Sequence, residues 1–417
     1  MMQRICYISR NYRGLTTSGN KAKTDYEDTL AEMGAVNLAL RRTTYRNKVV
    51  TFLLNLMGIM KYTFCVRKDD VLVLQYPLKK YFTFVCRVAH WRKARVVALI
   101  HDLGSMRRRK LTVGQEISRL SNADYVIASN EVMRQWLEQK GLTIPMGALG
   151  LHDYRGYDYR GYEDTKVRGY DYRGYEGTGV RGYENSLVAG DTGNLAPSHP
   201  RTPAPPKGNL APSHPRTPAP SHPCTPKNLP IIVYAGALAM RKNAFMLQMG
   251  DIANDYQLHV YGNADGLPGL QPSPSVVIKG FIPAEEFIAT VKGDYGLVWD
   301  GDSLDACTGN FGEYLRYNSP HKLSFYIRAG LPVVVWQEAA LASIVEKEGI
   351  GLCIDSIRQL GERLAAITPE QRDTMLRNVS RVSQKMSEGG FLRNALQEAM
   401  LHLKTSFQSP LFGHPVS

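Results

Sequence analysis

From residue 4 to about residue 150, short β-branched runs alternate with stretches of helical period, the pattern of βαβ units around a parallel sheet. Residues 5–9, 71–75, 95–100 and 125–128 predict buried strands, and helices are predicted near 21–33, 46–64, 79–91 and 131–139. Asn130 is a natural cap for the last of these helices and Gly141 a natural stop. The alternation resumes at Ile231, with strands predicted at 231–234, 257–261, 276–278, 296–299, 332–335 and 351–354. Residues 356–407 read as helices without strands, a tail suited to pack back across the first domain. Two Rossmann-like α/β domains are therefore expected, over residues 1–152 and 230–417.

Residues 153–229 differ in kind. RGYDYRGYE at 155–163 recurs letter for letter at 168–176, and GNLAPSHPRTPAP at 193 recurs at 208. Rich in proline and nearly devoid of aliphatic side chains, this stretch cannot bury enough apolar surface to offset its chain entropy, which predicts a disordered insert. A flexible chain of that length spans roughly 50 Å, at about 5 to 6 Å times the square root of its length. Tyr/Arg stickers for self-association or RNA are the functional alternative to an inert duplicated linker.

Charge divides the chain. Its 417 residues carry a formal +13, but residues 1–151 hold 25 Lys and Arg against 11 acids while residues 231–417 hold 16 against 19. The N-terminal half is thus the one suited to an anionic partner, such as an acidic glycan, a nucleic acid or anionic lipid. The six cysteines are scattered singly, without metal-ligand spacing, and the N-terminus reads as a buried strand rather than a leader, so a reducing cytoplasm is expected. Residues 49–66 (VVTFLLNLMGIMKYTFCV) approach a membrane span, but Asn55 and Lys61 interrupt them. They read as an amphipathic helix flanked by base, with core packing and membrane-surface contact both open.

Candidate chemistry lies where strands end. In YNSPHKLSFYIRAGLPVVVW (317–336), Asn318 or Ser319 predicts an N-cap, Pro320 the first helical position and Gly330 the stop. Free amides at that helix start, with His321 and Lys322 beside them, form a predicted diphosphate site. A bound anion would reconcile two cationic residue types with the positive end of a helix. The loop Thr17-Ser18-Gly19 opens an early helix and is either an ordinary cap or a close backbone approach to ligand; it is not a G-x-G-x-x-G fingerprint. His101-Asp102, ending the 95–100 strand, is a candidate general base, or a turn cap with a packed histidine. Arg241 is a candidate phosphate contact, and Tyr261 to Asn263 a candidate base or ribose pocket. The carboxylates Asp300 and Asp302 suggest a metal no more strongly than capping.

These segments resemble the bacterial Gtf3-like and galactofuranosyltransferase-like glycosyltransferases, which have the GT-B fold of two Rossmann-like domains facing a cleft. The resemblance rests on TSGNKAKTD at 17–25, LQYP at 74–77, IHDLGSMR at 100–107, ADYVIASNEVM at 123–133, GLVWDGDS at 296–303 and the 317–336 segment. It implies transfer of a hexosyl unit, galactofuranose or glucose, from a UDP-sugar to a surface polysaccharide, lipid-linked glycan or glycoprotein acceptor. By the resemblance, Asn318, Ser319, Pro320, His321, Lys322 and Leu323 cradle the nucleotide diphosphate, Arg241 adds a charge, Tyr261 lines the pocket, and Thr17, Ser18 and Gly19 close from the opposite domain. Relatives tend to have Gly-Asn-Leu where this chain has Gly236-Ala237-Leu238, which removes one amide from the donor site. The glutamates that retaining relatives place before the glycine–proline turn are absent, which favours inversion. No metal or other cofactor and no nucleic acid is then expected, the location is the cytoplasm or the inner face of its membrane, and self-association is left open. A silent glycan- or membrane-binding subunit and another nucleotide-binding Rossmann enzyme are the alternatives.

Overall fold

The computed structural model describes residues 3–9, 18–40, 48–78, 81–107, 111–155, 229–253 and 255–408, with residues 18–20, 48 and 405–408 described by backbone alone. Residues 156–228 of the expected insert and Thr17 lie outside these residues, whereas Asp153 and Tyr154, expected at the start of the insert, are fully buried in the folded chain, which places the end of the first domain a few residues later than the sequence suggests. Two six-stranded, wholly parallel sheets organise the chain.

The first contains β1 (Ile5–Tyr7), β2 (Val36–Asn37), β3 (Val71–Tyr76), β4 (Arg95–Ile100), β5 (Tyr125–Ala128) and β6 (Met146–Ala148), in the order β2-β1-β3-β4-β5-β6. The second contains β7 (Ile231–Ala235), β8 (Gln257–Tyr261), β9 (Val276–Ile278), β10 (Tyr295–Val298), β11 (Val333–Trp336) and β12 (Gly351–Ile354), in the order β12-β11-β10-β7-β8-β9. Parallel sheets covered on both faces need near-continuous apolar strands, and VLVLQY, RVVALI and VVVW meet that demand, with Val71 to Leu74, Val96 to Ile100 and Val333 to Trp336 buried. β2 and β6, of two and three residues, are too short to register as hydrophobic runs.

In both sheets the chain steps outward from a first strand and then returns to its other side. The order reverses between β1 and β3, and again between β7 and β10. Open α/β sheets bind ligands outside the carboxyl ends of strands at such points.

The helical tail does cross back. Leu392, Ala395, Leu396, Ala399 and Leu403 of the Gly390–Gln408 helix are buried in one core with Tyr26, Val73, Val97, Leu99 and Ile127 of the first domain. Asp153, fully buried, accepts hydrogen bonds from the Phe391 and Leu392 amides at 3.1 and 2.7 Å and so fixes the start of that helix. Burial pushes its carboxyl up to about 7 although both amides and Lys385 favour the charged form.

The Lys48–Cys65 helix buries only a narrow strip, including Ile59 and Tyr62. Val49, Val50, Phe52, Leu53, Leu56, Met57, Met60 and Phe64 are exposed, and helical geometry sets them on one face. Most of its apolar surface therefore lies outside the core. No helix among the described residues is long and apolar enough to cross a membrane.

Candidate functional site

The second sheet's reversal point is built around Lys322. The His321–Arg328 helix starts there with Pro320 at the N-cap, one position later than the sequence suggests, and no side chain caps it. The expected cap, Ser319, is turned away: its buried hydroxyl lies 3.0 Å from the Ser129 carbonyl and 3.1 Å from the Gly150 carbonyl. Ser319 thus bridges the domains, and the first amides of the helix are left without a side-chain cap.

From the first turn, Lys322 Nζ reaches Asp300 Oδ1 at 3.0 Å and lies 3.8 Å from the centroid of the Tyr234 ring, whose hydroxyl it also contacts. Tyr234 donates to Asp300 at 3.2 Å, and Lys242 Nζ stands 3.8 Å from the same carboxylate. Burial pushes the Lys322 ammonium down to about 7; Asp300 opposes the shift and Lys242 adds to it. Gly236 directly follows β7 with φ +152°, a backbone angle that favours glycine, and a Cβ there would stand 3.2 Å from Lys322 Cε. Asp300, Tyr234 and Lys242 are donor-site residues that the motifs do not assign; the signals in the sequence are the two carboxylates after β10 and the strand-to-helix junction from Tyr234 to Lys242.

The other expected donor contacts fare differently. Leu323 is fully buried in the core and its amide bonds to the Pro320 carbonyl at 3.0 Å, so neither its side chain nor its amide is free to cradle a ligand. Arg241 is exposed and lies over the Phe311 ring at 5.3 Å, while its neighbour Lys242 is the residue near Asp300. Tyr261 is half-buried, edge-on to Phe287 at 5.1 Å, at the carboxyl end of β8. Asn318 Oδ1 is buried without a hydrogen bond. Ser18 and Gly19 begin the Ser18–Glu32 helix.

Facing this site, the segment after β4 is held by Glu116. This fully buried carboxylate accepts from the Gly104 and Ser105 amides and from Tyr76 Oη, each at 2.8 Å. Leu103 N donates to Tyr314 Oη of the second domain at 2.9 Å. Asp102 forms an ion pair with Arg107 in the same turn. Asn130 caps its helix through Oδ1, 2.8 Å from Met133 N, while Nδ2 donates to the Tyr317 carbonyl at 3.0 Å and to Ser319 Oγ at 3.1 Å. The residue expected only to cap also joins the domains.

His101 does not stand beside Asp102 as a solvent-facing base. It is 2% exposed, bonds to Gln75 Oε1 through Nε2 at 2.7 Å, and stacks on Tyr26 and His152. His321 turns from the expected diphosphate position to stack on His152, with ring centroids 4.2 Å apart. Burial drives the His101 and His321 rings well below their ordinary value, and takes His152 down to about 4 although the Ser319 backbone favours its charged form. All three are neutral at pH 7.

Parallel six-stranded sheets meeting in this way define the GT-B class. The structure is similar along its whole length to sucrose-phosphate synthase from Thermosynechococcus elongatus (TM-score 0.53, 14% identity, 98% of this chain and 100% of that one). It is likewise similar to Anabaena HepE in complex with UDP-glucose (TM-score 0.51, 11% identity, 96% and 100%). Residues 5–151 match the glucosyltransferase 3-like N-terminal domain and residues 232–399 the glucosyltransferase 3-like C-terminal domain, so the chain belongs to that family of glycosyltransferases. Among its relatives, the β-1,6-galactofuranosyltransferase WbbI of Escherichia coli K12 is 26% identical over 93% of this chain and 96% of its own. Glucosyltransferase 3 of Streptococcus gordonii is 28% identical over 32% of this chain and 39% of its own.

Proposed function

We propose that the chain transfers a hexosyl unit, galactofuranose or glucose, from a UDP-sugar to a glycan of the cell surface, by single displacement and without a metal in the transfer step. The observation that carries this reading is Lys322. A buried ammonium of lowered basicity stands beside uncapped helix amides at the β7/β10 reversal point, where a diphosphate restores its proton and is itself neutralised. Lys242 supplies a second charge. Asp102, held by the Glu116-braced turn, takes the proton of the acceptor hydroxyl. HepE, in complex with UDP-glucose, supports UDP as the nucleotide, and the names of the two relatives support galactofuranose or glucose as the sugar.

A lipid-linked or otherwise membrane-proximal acceptor is favoured by the exposed apolar face of the Lys48–Cys65 helix on the basic N-terminal domain, which together suit the anionic inner face of a membrane. The assay is a thermal-shift and hydrolysis screen of the full chain, in EDTA, against UDP, GDP, UDP-galactofuranose, UDP-glucose and NAD. Stabilisation by UDP with slow UDP release from one sugar donor is the expected result. Stabilisation by NAD alone, or by no nucleotide, overturns the assignment.

A further inference from the structure

We propose that His101, His152 and His321 form a binding site for a divalent transition-metal ion of the zinc class, tying the two domains together across their cleft. One ring nitrogen of each residue lies within 4.8 Å of one from each of the others. His101 directly follows β4 and His152 follows β6, both in the first domain, whereas His321 opens the donor-site helix of the second. The cluster therefore joins the two domains.

Hydrogen bonding prepares the rings as ligands. His101 Nε2 is engaged by Gln75 Oε1, which accepts only from a protonated ring nitrogen, so the lone pair lies on Nδ1. His152 Nδ1 is 2.7 Å from Tyr26 Oη, leaving Nε2 as its other nitrogen. His101 Nδ1, His152 Nε2 and His321 Nδ1 are each buried without a hydrogen bond of standard geometry. Ligand histidines characteristically bond their second nitrogen to an oxygen that fixes tautomer and ring orientation, and Gln75 and Tyr26 do this here. Three ring nitrogens gathered in one place without a hydrogen bond of standard geometry suit a cation between them, which would displace the weak contact of the His152 ring with the Ser319 backbone.

A tetrahedral ion with bonds of about 2.0 to 2.1 Å needs its nitrogens about 3.3 Å apart, so the rings must close by up to about 1.5 Å. His101 and His152 are held by their oxygens and by burial, whereas His321 is only half-buried, so His321 makes the approach and draws its helix toward the first domain. Lys23 and Arg107, whose charges reach His321, oppose a further cation and weaken its binding.

The test is cobalt titration of the untagged full chain, read by the visible absorption of tetrahedral Co2+ and reversed by Zn2+. One ion per chain is expected. His321→Ala, at a half-buried position, should lose the band while keeping the wild-type melting temperature of the metal-free protein. Tyr26→Phe, which removes only the hydroxyl that orients His152, should weaken binding about 10- to 100-fold. No tetrahedral band, or a band that survives in His321→Ala and so belongs to other histidines, overturns the proposal. The site is separate from the donor reading: UDP stabilisation in EDTA tests that reading alone, and cobalt binding without UDP tests this one.

Discussion

The lowered basicity of Lys322 makes the affinity for nucleotide depend on pH in a calculable way. The free site loses its proton near pH 7, whereas an ion pair with a diphosphate holds that proton well above. At pH 8, one unit above the free value, binding must first recover the proton, costing about 1.4 kcal/mol, or tenfold in Kd; at pH 9 the cost is about 2.7 kcal/mol, or a hundredfold. Titration calorimetry of UDP at pH 7, 8 and 9, in buffers of different ionisation enthalpy, should therefore show weakening affinity together with uptake approaching one proton. Lys322→Met should bind weakly, with no such slope. The sign for stability is the reverse. The unfolded chain holds the extra proton between about 7 and the ordinary 10.5, so the nucleotide-free protein gains stability from this group as the pH rises through that window. A pH-independent UDP affinity between 7 and 9, or an unchanged slope in Lys322→Met, would refute the role given to the lysine.

Asp102→Asn should abolish sugar transfer while leaving UDP affinity within about twofold, measured by product formation and calorimetry; parallel loss of both would make the Asp102–Arg107 pair structural. Leu53 and Phe64 are 50% and 73% exposed, so Leu53→Glu with Phe64→Glu should leave the melting temperature nearly unchanged. At about 1.5 to 3 kcal/mol for each apolar side chain buried, the same pair should reduce co-sedimentation with vesicles of mixed zwitterionic and anionic lipid at least tenfold. Equal co-sedimentation would remove the membrane surface from the reading. Asp153 keeps its proton to about pH 7 in the fold but ionises near 3.8 when unfolded, so it contributes a loss of stability as pH rises from about 4 to 7. Melting curves of Asp153→Asn over that range should lack this loss; an identical profile would show that the carboxyl titrates normally.

The sequence alone determined the architecture, because buried parallel strands must be apolar along their whole length and helices between them must be amphipathic. Runs such as 95–100 and 333–336 are visible to any reader of the chain. The start of the donor helix was also legible to within one residue, since proline and glycine fix backbone angles locally. Tertiary structure decided what depends on approach between distant segments. Ser319 carries every local mark of a helix cap, yet its hydroxyl faces carbonyls about 170 and 190 residues earlier in the chain. Leu323 lies in a promising motif but points into the core. The motif by itself marks Lys322 as a free phosphate contact, whereas burial lowers its basicity and Asp300 and Tyr234 reach it from segments far apart in sequence. His101, His152 and His321 have no shared spacing at all; only the meeting of two sheets stacks them. Local patterns fix local geometry, but burial and pairing arise where separate elements meet, and those set the chemistry of this cleft.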